Sequence, residues 1–246
     1  MKGRRILLTG ASGAIGRALA LALGREGAFV VGVYRSSEKA AAALRLSLAR
    51  QGSVVRADLA TEAGRAAVVE ACEDGIDGAV LCAGIARHGP FVDPEAPREA
   101  ADLSAQIQTN LESPLRLVQA LAAADVLRAG ASLVFVSSNL ARLGVAGTVG
   151  YAASKAGLEG AVRALAAELG PAGVRVNAIA PGLLLSSMGR QRSAETLGWI
   201  ARMTPLRRLG EPQDVVGPTL FLLGSAAAFV TGQVIDVDGG ASIAGV

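Results

Sequence analysis

Aromatic residues, histidine and cysteine are scarce in this chain of 246 residues. Aromatics make up 3% of it, and it contains one histidine and two cysteines. A lone histidine, His88, speaks against a histidine-based zinc or iron site, and two cysteines are too few for a disulfide framework. Hydrophobic residues still make up 51% of the chain. The core is therefore expected to consist of Ala, Val, Leu and Ile, which suits parallel strands covered by helices on both faces.

Basic stripes and long apolar runs are also missing. The net charge is +3, with acids and bases interspersed, so the composition gives little reason to expect nucleic-acid binding. No apolar run reaches a membrane-spanning length without glycine, proline or charge. The apolar stretch after Lys2, Arg4 and Arg5 is too short for the apolar region of a signal peptide. We therefore expect a cytoplasmic protein that binds neither membrane nor nucleic acid.

A glycine-rich turn stands near the start of the sequence. A strand-like run at 4–8 leads into TGASGAIG at 9–16, and a helix-like stretch follows directly. Glycines at positions 10, 13 and 16 let the backbone approach a pyrophosphate, whose charge then lies at the N-terminus of the helix. The turn predicts dinucleotide binding.

Apolar runs alternate with longer helical stretches along the whole chain. Strands are predicted at 4–8, 29–33, 53–57, 78–82, 132–137, 175–180 and 234–237. Helices are predicted near 14–26, 37–50, 62–73, 100–127, 150–169 and 212–224. This alternation predicts one α/β domain over residues 1–246, a Rossmann-type doubly wound parallel sheet of about seven strands with helices on both faces. The less regular stretch at 183–210 is expected to form a substrate lid.

Three polar residues are candidates for catalysis. Tyr151 and Lys155 stand four positions apart at the start of an Ala-rich helix, and Ser138 follows the fifth predicted strand. One helical turn puts the phenol and the ammonium on the same face, where the cation can lower the pKa of the phenol. A free tyrosine titrates near 10, so a pKa of about 7 would need about 4 kcal/mol of stabilisation. The pair alone is common on helix surfaces, and the glycine turn and Ser138 are what make it a candidate site.

The residues after the second and third predicted strands bear on the choice of cofactor. Arg35 and Ser36 follow the second strand, where a free ribose 2′-hydroxyl is usually held by an acid and a 2′-phosphate needs a cation. This favours NADP(H), and NAD(H) stays open. Asp58, after the third strand, is placed either to accept a hydrogen bond from the adenine amino group or to cap the next helix.

With these residues in place, the chain resembles the short-chain dehydrogenase/reductase family over essentially its whole length. The matching pieces are TGASGAIG at 9–16, Asp58, Ala83-Gly84, Asn110, Ser138, Tyr151, Lys155, Pro181-Gly182 and DVDGG at 236–240. Within the family it is most similar to the 3-oxoacyl-[acyl-carrier-protein] reductases, through RVNAIAPG at 175–182, LRRLGEP at 206–212 and VTGQVIDVDGG at 230–240. Many sugar, steroid and xenobiotic reductases share these runs.

The resemblance implies an NAD(P)-dependent oxidoreductase acting on CH–OH groups. Tyr151 would be the general acid, and Ser138 would hydrogen-bond the same substrate oxygen. Lys155 would lower the pKa of Tyr151 and hold the nicotinamide ribose, and Asn110 would anchor a water that links Lys155 to solvent. The implied cofactor-binding residues are Gly10, Ser12, Gly13, Ile15, Gly16, Arg35, Ser36, Asp58, Leu59, Cys82, Ala83, Gly84, Tyr151, Lys155, Pro181, Gly182, Leu184 and Ser186.

The implied function is an NADPH-dependent ketoreductase of a 3-oxoacyl thioester or a similar ketone, as in fatty acid biosynthesis. An NAD(P)-dependent alcohol, sugar or cyclic ketone dehydrogenase is the alternative, and a cofactor-binding regulatory or scaffold protein is the non-enzymatic one. The complete catalytic set argues against the last. Docking of an acyl carrier protein stays open, because Ala129 and Ala172 stand where carrier-dependent relatives tend to have arginines.

The chain departs from the family pattern at two places, and one predicted helix carries a stripe of small residues. Leu81 and Cys82 replace two asparagines that tie neighbouring strands in many relatives, and Ser12 replaces a basic residue. Small residues mark the helix at 150–169, namely Ala153, Ala156, Gly157, Gly160, Ala161 and Ala164. They suit close packing against a symmetry mate, as does the apolar segment after Gly240, so we expect a homotetramer. Packing within the chain's own fold is the alternative.

Overall fold

Seven parallel strands form one sheet within the described part of the chain, residues 1–91, 102–186 and 193–245 of a computed structural model. In chain order they are β1 (Arg5–Thr9), β2 (Phe29–Tyr34), β3 (Gly52–Arg56), β4 (Ile76–Leu81), β5 (Leu127–Val136), β6 (Arg175–Pro181) and β7 (Val234–Val237). Their order across the sheet is β3-β2-β1-β4-β5-β6-β7. The predicted doubly wound parallel sheet is confirmed.

Helices connect the strands and cover both faces of the sheet. They are α1 (Ala14–Arg25), α2 (Glu38–Leu48), α3 (Glu62–Glu70), α4 (Leu103–Ile107), α5 (Ser113–Ala123), α6 (Val149–Leu169), α7 (Ala194–Met203), α8 (Val216–Leu223) and α9 (Ala241–Ala244). None of the helices in the described ranges is long and apolar enough to cross a membrane.

Two predicted elements differ from the structure. The helix predicted at 100–127 is divided into α4 and α5 by a π-helical turn, Gln108–Glu112, and it ends at Ala123. The stretch at 183–210 was expected to be irregular, yet it contains α7, because the Ser193 hydroxyl accepts a hydrogen bond from the Thr196 amide and caps the helix. Residues 187–192 of the predicted lid lie outside the described residues.

Alternate residues of each central strand pack on opposite faces of the sheet. Ile6 and Leu8 of β1 join the apolar cluster formed with α1, α2 and α8, whereas Leu7 joins the cluster formed with α3, α5 and α6. In β5, Val134 belongs to the first cluster and Phe135 to the second. Because both faces are covered, each strand reads as a continuous apolar run in the sequence.

The chain reverses its direction across the sheet between β1 and β4, and ligand clefts of doubly wound folds lie at such points. Here the Thr9 hydroxyl accepts hydrogen bonds from the Cys82 and Ala83 amides, both at 3.0 Å. Thr9 thus supplies a tie between these strands, although Cys82 stands where many relatives have asparagine. Gly10 has a φ of +66°, and a Cβ atom added to it would lie 2.9 Å from the Ala83 Cα.

Candidate active site

A cavity of about 890 Å³ opens at the carboxyl edge of the sheet. The ends of β4 to β7 line it, together with residues of α6 and α7. Ten of the predicted site residues lie on its wall: Ile15, Cys82, Gly84, Ser138, Tyr151, Lys155, Pro181, Gly182, Leu184 and Ser186. Residues that are distant in the sequence therefore meet at one surface, because the carboxyl ends of parallel strands share one edge of the sheet.

The catalytic candidates meet where α6 passes the end of β5. The Lys155 ammonium donates a hydrogen bond to the Val136 carbonyl at 2.7 Å and lies 5.8 Å from the centroid of the Tyr151 ring. Ser138 begins the short 3-10 turn Asn139–Ala141, where its Oγ accepts a hydrogen bond from the Leu140 amide at 3.2 Å. The Ser138 hydroxyl also interacts with the Tyr151 phenol, which lowers the pKa of Tyr151.

The pKa values of this group differ from the sequence-based expectation. Burial raises the pKa of Tyr151 above 10, a hydrogen bond from Ser138 lowers it, and Cys82 raises it further. Burial lowers the pKa of Lys155 to about 8, with Cys82 acting in the opposite direction. The expected lowering of the Tyr151 pKa by Lys155 was wrong: Lys155 is not among the causes of the shift, and burial of the phenol outweighs the opposing effect of Ser138. The phenol is protonated at neutral pH.

Asn110 lies in the π-helical turn, and its side chain is fully buried. Its Oδ1 accepts a hydrogen bond from the Ile85 amide at 2.8 Å, and its Nδ2 donates to the Ile85 carbonyl at 2.8 Å and to the Ser154 Oγ at 3.0 Å. The side chain therefore ties the segment after β4 to α6, on which Lys155 is the next residue. A π-helical turn also disturbs the usual backbone pairing at its position.

The glycine turn has the geometry of a phosphate cradle. A Cβ atom at Gly16 would lie 2.2 Å from the Gly10 carbonyl oxygen, so α1 packs directly on the turn. Gly13 precedes α1 without a capping side chain, and no acidic residue occupies the first turn of the helix. The first amide groups of α1 are therefore suited to an anion. Ser12 lies in this turn and is partly exposed.

Two arginines lie at the carboxyl ends of β2 and β3. Arg35 and Ser36 are exposed directly after β2. Arg56, the last residue of β3, is also exposed, and its Nε donates a hydrogen bond to the Arg35 carbonyl at 3.2 Å. Arg56 was not among the predicted site residues, although its place near the end of the third predicted strand was a usable signal. The pair forms a cationic edge where a 2′-phosphate would lie.

Asp58 does not cap α3. The cap is Thr61, whose Oγ1 accepts a hydrogen bond from the Gly64 amide at 3.0 Å. The exposed Asp58 carboxylate accepts from the Ala60 amide at 3.0 Å, and the neighbouring Leu59 is buried. One carboxylate oxygen is therefore available for a ligand such as an adenine amino group.

Two further glycines border the inner part of the cavity. A Cβ atom at Gly84 would lie 3.1 Å from the Asn110 Oδ1, and one at Gly182 would lie 2.7 Å from the Asp238 Cβ. Gly182 therefore has no room for a side chain, and a side chain at Gly84 would crowd the Asn110 amide. Pro181 ends β6, and Leu184 forms a bridge with Gly210. Backbone at these points can approach a flat ligand closely.

The outer part of the cavity is lined mainly by apolar side chains, among them Leu140, Val145, Trp199, Ile200, Leu206 and Leu209. Of the polar groups there, Arg208 binds Asp214 with both of its Nη atoms, at 2.6 and 2.8 Å. This contact, first among the causes, lowers the pKa of Asp214 to about 2. His88 is exposed at the rim, with its ring centroid 6.0 Å from that of Tyr151.

Comparison with known proteins places the chain in a family. A family model described as enoyl-(acyl carrier protein) reductase matches residues 10–242. The chain belongs to the short-chain dehydrogenase/reductase family. It is 34% identical to the 3-oxoacyl-[acyl-carrier-protein] reductase FabG of Pseudomonas aeruginosa, over 98% of each chain.

Solved structures of the short-chain dehydrogenase/reductase family superpose closely on it. One from Brucella melitensis, described as a glucose/ribitol dehydrogenase, has a TM-score of 0.91 at 31% identity and covers 98% of this chain and 97% of its own. One from Beutenbergia cavernae, described as an NAD(P)-dependent gluconate 5-dehydrogenase with bound NADP, has a TM-score of 0.86 at 32% identity, with coverages of 98% and 97%. The chain is accordingly an NAD(P)-dependent oxidoreductase of alcohol or ketone groups.

Arg128 and Arg175, the arginines nearest to Ala129 and Ala172, lie away from the cavity. Both belong to the amino-terminal parts of their strands, at the opposite edge of the sheet. Arg128 lies 3.1 Å from Asp77, and Arg175 donates to the Leu222 carbonyl at 2.8 Å.

Within residues 1–91, 102–186 and 193–245, no three His, Cys, Asp or Glu side chains are grouped so that they could hold a metal ion.

Proposed function

We propose that this chain is an NADPH-dependent ketoreductase of thioester-linked or related apolar ketones. One observation carries the proposal: Ser138, Tyr151 and Lys155 lie on the wall of the same cavity, beside Gly84 and Gly182, where a side chain would crowd or overlap its neighbours. This arrangement offers a proton donor, a hydrogen-bond donor and a cation next to a surface that fits a flat cofactor ring.

The nicotinamide ring, when bound, supplies the hydride. Tyr151 donates its phenolic proton to the substrate oxygen, and its raised pKa keeps that proton in place at neutral pH. The Ser138 hydroxyl donates a hydrogen bond to the same oxygen, which stabilises the negative charge that develops there. A protonated phenol suits reduction of a ketone, whereas oxidation of an alcohol would need the phenolate as a base.

Lys155 and Asn110 support the proton donor. With a pKa of about 8, Lys155 is mostly charged at neutral pH and is placed to donate hydrogen bonds to ribose hydroxyls. The Asn110 side chain is already bonded to Ile85 and Ser154. We therefore propose that the backbone of the π-helical turn, rather than the side-chain amide of Asn110, binds the water that returns protons to Lys155.

The cofactor preference rests on the arginines at the ends of β2 and β3. The guanidinium of Arg35 would bind the 2′-phosphate of NADPH, helped by Ser36 and by Arg56. The pyrophosphate would lie on the turn from Gly10 to Gly16, at the start of α1. Asp58 would accept a hydrogen bond from the adenine amino group.

The apolar outer cavity favours a thioester-linked or alkyl ketone. Sugar hydroxyls placed against Leu140, Val145 and Leu206 would lose hydrogen bonds to water without regaining them, which costs about 1–3 kcal/mol for each unpaired group. An alcohol or sugar dehydrogenase is the second candidate, because relatives with that description superpose on the whole chain. Arg128 and Arg175 lie at the wrong edge to receive a carrier protein, which favours a free thioester.

We also propose, for the protein as a whole, that 183–210 acts as a lid and that four chains assemble into a tetramer. Trp199 of α7 lines the cavity and is about half exposed (49%), so it can close over a substrate. Ile243 of α9 is 90% exposed, and a neighbouring chain would cover it.

The proposal is tested by following NADPH and NADH oxidation with 3-oxoacyl thioesters of coenzyme A and of N-acetylcysteamine, cyclic diketones and simple ketones. Sugar and polyol oxidation is measured in parallel. We expect NADPH-dependent reduction of the thioesters, and a Tyr151→Phe variant that loses at least about two orders of magnitude in turnover while its affinity for NADPH barely changes. Faster oxidation of a sugar than reduction of any ketone would favour the second candidate, and a phenylalanine variant with more than about a tenth of wild-type turnover would contradict the role of Tyr151.

A further inference from the structure

Three polar side chains form a row along the inner face of α6. Tyr151, Lys155 and Glu159 follow one another at intervals of four residues, one helical turn apart. Each contacts a different one of the residues 136–138, at and directly after the end of β5. Lys155 donates to the Val136 carbonyl, Glu159 accepts from the Ser137 hydroxyl, and Tyr151 interacts with Ser138.

Glu159 is the member of this row that no catalytic step uses. Its carboxylate is buried, with 5% of the residue exposed, and it does not line the cavity. One oxygen accepts a hydrogen bond from the Ser137 Oγ at 2.9 Å, and the other lies 3.5 Å from the Nε of Arg142. Arg142 in turn binds both carboxylate oxygens of Asp236 on β7, one of them at 3.0 Å.

These contacts hold the chain on both sides of Ser138. Ser137 precedes it and Arg142 ends the turn that follows it, and both bind the same carboxylate. Ser137 is also fixed to β6, because its amide donates to the Ile179 carbonyl at 2.8 Å. A shift of α6 along its axis would break the bonds of Glu159 and Lys155 together, so the row sets one register between α6 and the end of β5.

We infer that Glu159 is a positioning residue: it fixes the distance between the Ser138 and Tyr151 hydroxyls by holding α6 in register with the end of β5. The inference rests on the proposed function, in which both hydroxyls bind one substrate oxygen. A displacement of about 1 Å between such groups can lower turnover by about 10²-fold. The Arg142 side chain is partly exposed, and an ion pair open to solvent adds little to stability. The geometry of Ser138 is therefore the consequence that distinguishes this group.

The first test separates positioning from folding by kinetics. We expect Glu159→Leu and Ser137→Ala each to lower kcat by about tenfold or more, with KM and NADPH affinity within about twofold of wild type. Glu159→Gln keeps an acceptor for the Ser137 hydroxyl, so it should retain most of the turnover. Because the bond between Ser137 and Glu159 is lost in either single variant, the double variant should lose less turnover than the product of the two single losses. Glu168→Leu, which removes an exposed carboxylate from the same helix, is the matched control.

The second test needs no substrate. The chain has two tyrosines, so a Tyr34→Phe background leaves Tyr151 as the one phenol seen by ultraviolet titration. Its hydrogen bond with Ser138 lowers the pKa of Tyr151, and Glu159→Leu should loosen that bond and raise the pKa further. Ser137→Ala, a small change directly after β5, should raise the pKa of Tyr151 in the same way, and it replaces the leucine variant if that variant does not fold.

The outcomes separate this inference from the proposed function. If the wild-type protein reduces no ketone but the pKa of Tyr151 still rises in Glu159→Leu, the proposed function fails and the positioning role stands. Unchanged kcat and unchanged Tyr151 pKa in folded Glu159→Leu and Ser137→Ala would overturn the inference. A loss of turnover that merely follows the folded fraction in thermal unfolding, equal in Glu159→Gln and Glu159→Leu, would overturn it too.

Discussion

The buried ammonium of Lys155 should weaken the fold at neutral pH and do so less as the pH rises. The pKa of Lys155 is lowered from 10.5 to about 8, and burial is the largest cause of this shift. Each tenfold change in a protonation equilibrium corresponds to about 1.4 kcal/mol. Keeping Lys155 charged in the folded chain therefore lowers the free energy of unfolding by about 3 kcal/mol.

The direction of the pH dependence follows from which state binds the proton. Below pH 8 the lysine is protonated in both the folded and the unfolded chain, so the cost is present in full. Between pH 8 and 10.5 the unfolded chain still holds the proton and the folded chain has released it. The unfolded state then binds more protons, so the contribution of Lys155 to stability rises with pH.

The measurement compares the wild-type protein with Lys155→Met by urea unfolding at several pH values in this window. Methionine is unbranched, keeps most of the length of the lysine side chain and cannot titrate. The variant should therefore gain most in stability over the wild type below pH 8. The difference in free energy of unfolding should then decrease by about 3 kcal/mol as the pH approaches 10.5. Cys82 titrates higher, with its pKa raised to about 11 mainly by burial, and it is present in both proteins.

The matched control is Lys39→Met, which removes the same charge from an exposed position of α2. A difference between wild type and Lys155→Met that stays constant across the window would refute the burial-lowered pKa. The expected result would mean that the fold gives up stability to keep a cation beside Tyr151, as functional sites often do.

Three further predictions concern the cofactor, the glycine turn and the assembly. The wild-type protein should bind NADPH about one to two decades more tightly than NADH, and Arg35→Asp should reverse the preference; equal dissociation constants in the wild type would contradict this. Gly16→Ala should abolish NADPH binding and lower the free energy of unfolding by about 1–3 kcal/mol, because its Cβ would overlap the Gly10 carbonyl. Gly170→Ala, whose added Cβ meets nothing within 4 Å, is the control. Light scattering after size-exclusion chromatography should give four times the chain mass of 24.7 kDa, and a monomer at micromolar concentration would refute the assembly.

The fold could be predicted where buried elements show a pattern of apolar residues in the sequence. β7 has the predicted bounds, because its apolar residues coincide with its pairing to β6. β5 starts five residues earlier than predicted, at Leu127, because its first part contains the exposed Arg128 and Gly130 and shows no apolar pattern. The π-helical turn at Asn110 could not be predicted from the sequence either, since its residue types also suit an α-helix.

The site was predictable where residues follow strand ends and not where they meet through packing. Ser138 and the glycine turn follow β5 and β1, so the parallel sheet brings them to one edge. The raised pKa of Tyr151 depends on how deeply α6 buries it, which spacing does not reveal. Thr9 and Glu159 were missed because their partners are distant in the sequence and are found only once strands and helices pack.

Helix α6 carries two kinds of contact, and the structure divides its small residues between them. A Cβ atom at Gly157 would lie 2.9 Å from the Leu111 side chain, so this glycine serves packing within the chain, as the alternative to an interface predicts for that position. One at Gly160 would meet nothing within 4 Å. Ala153 and Ala164, with Gly160, form an exposed stripe on the side away from the row of Tyr151, Lys155 and Glu159. The expected assembly therefore depends on this stripe, and a neighbouring chain packed there would support α6 from outside while Lys155 and Glu159 hold its inner face to β5.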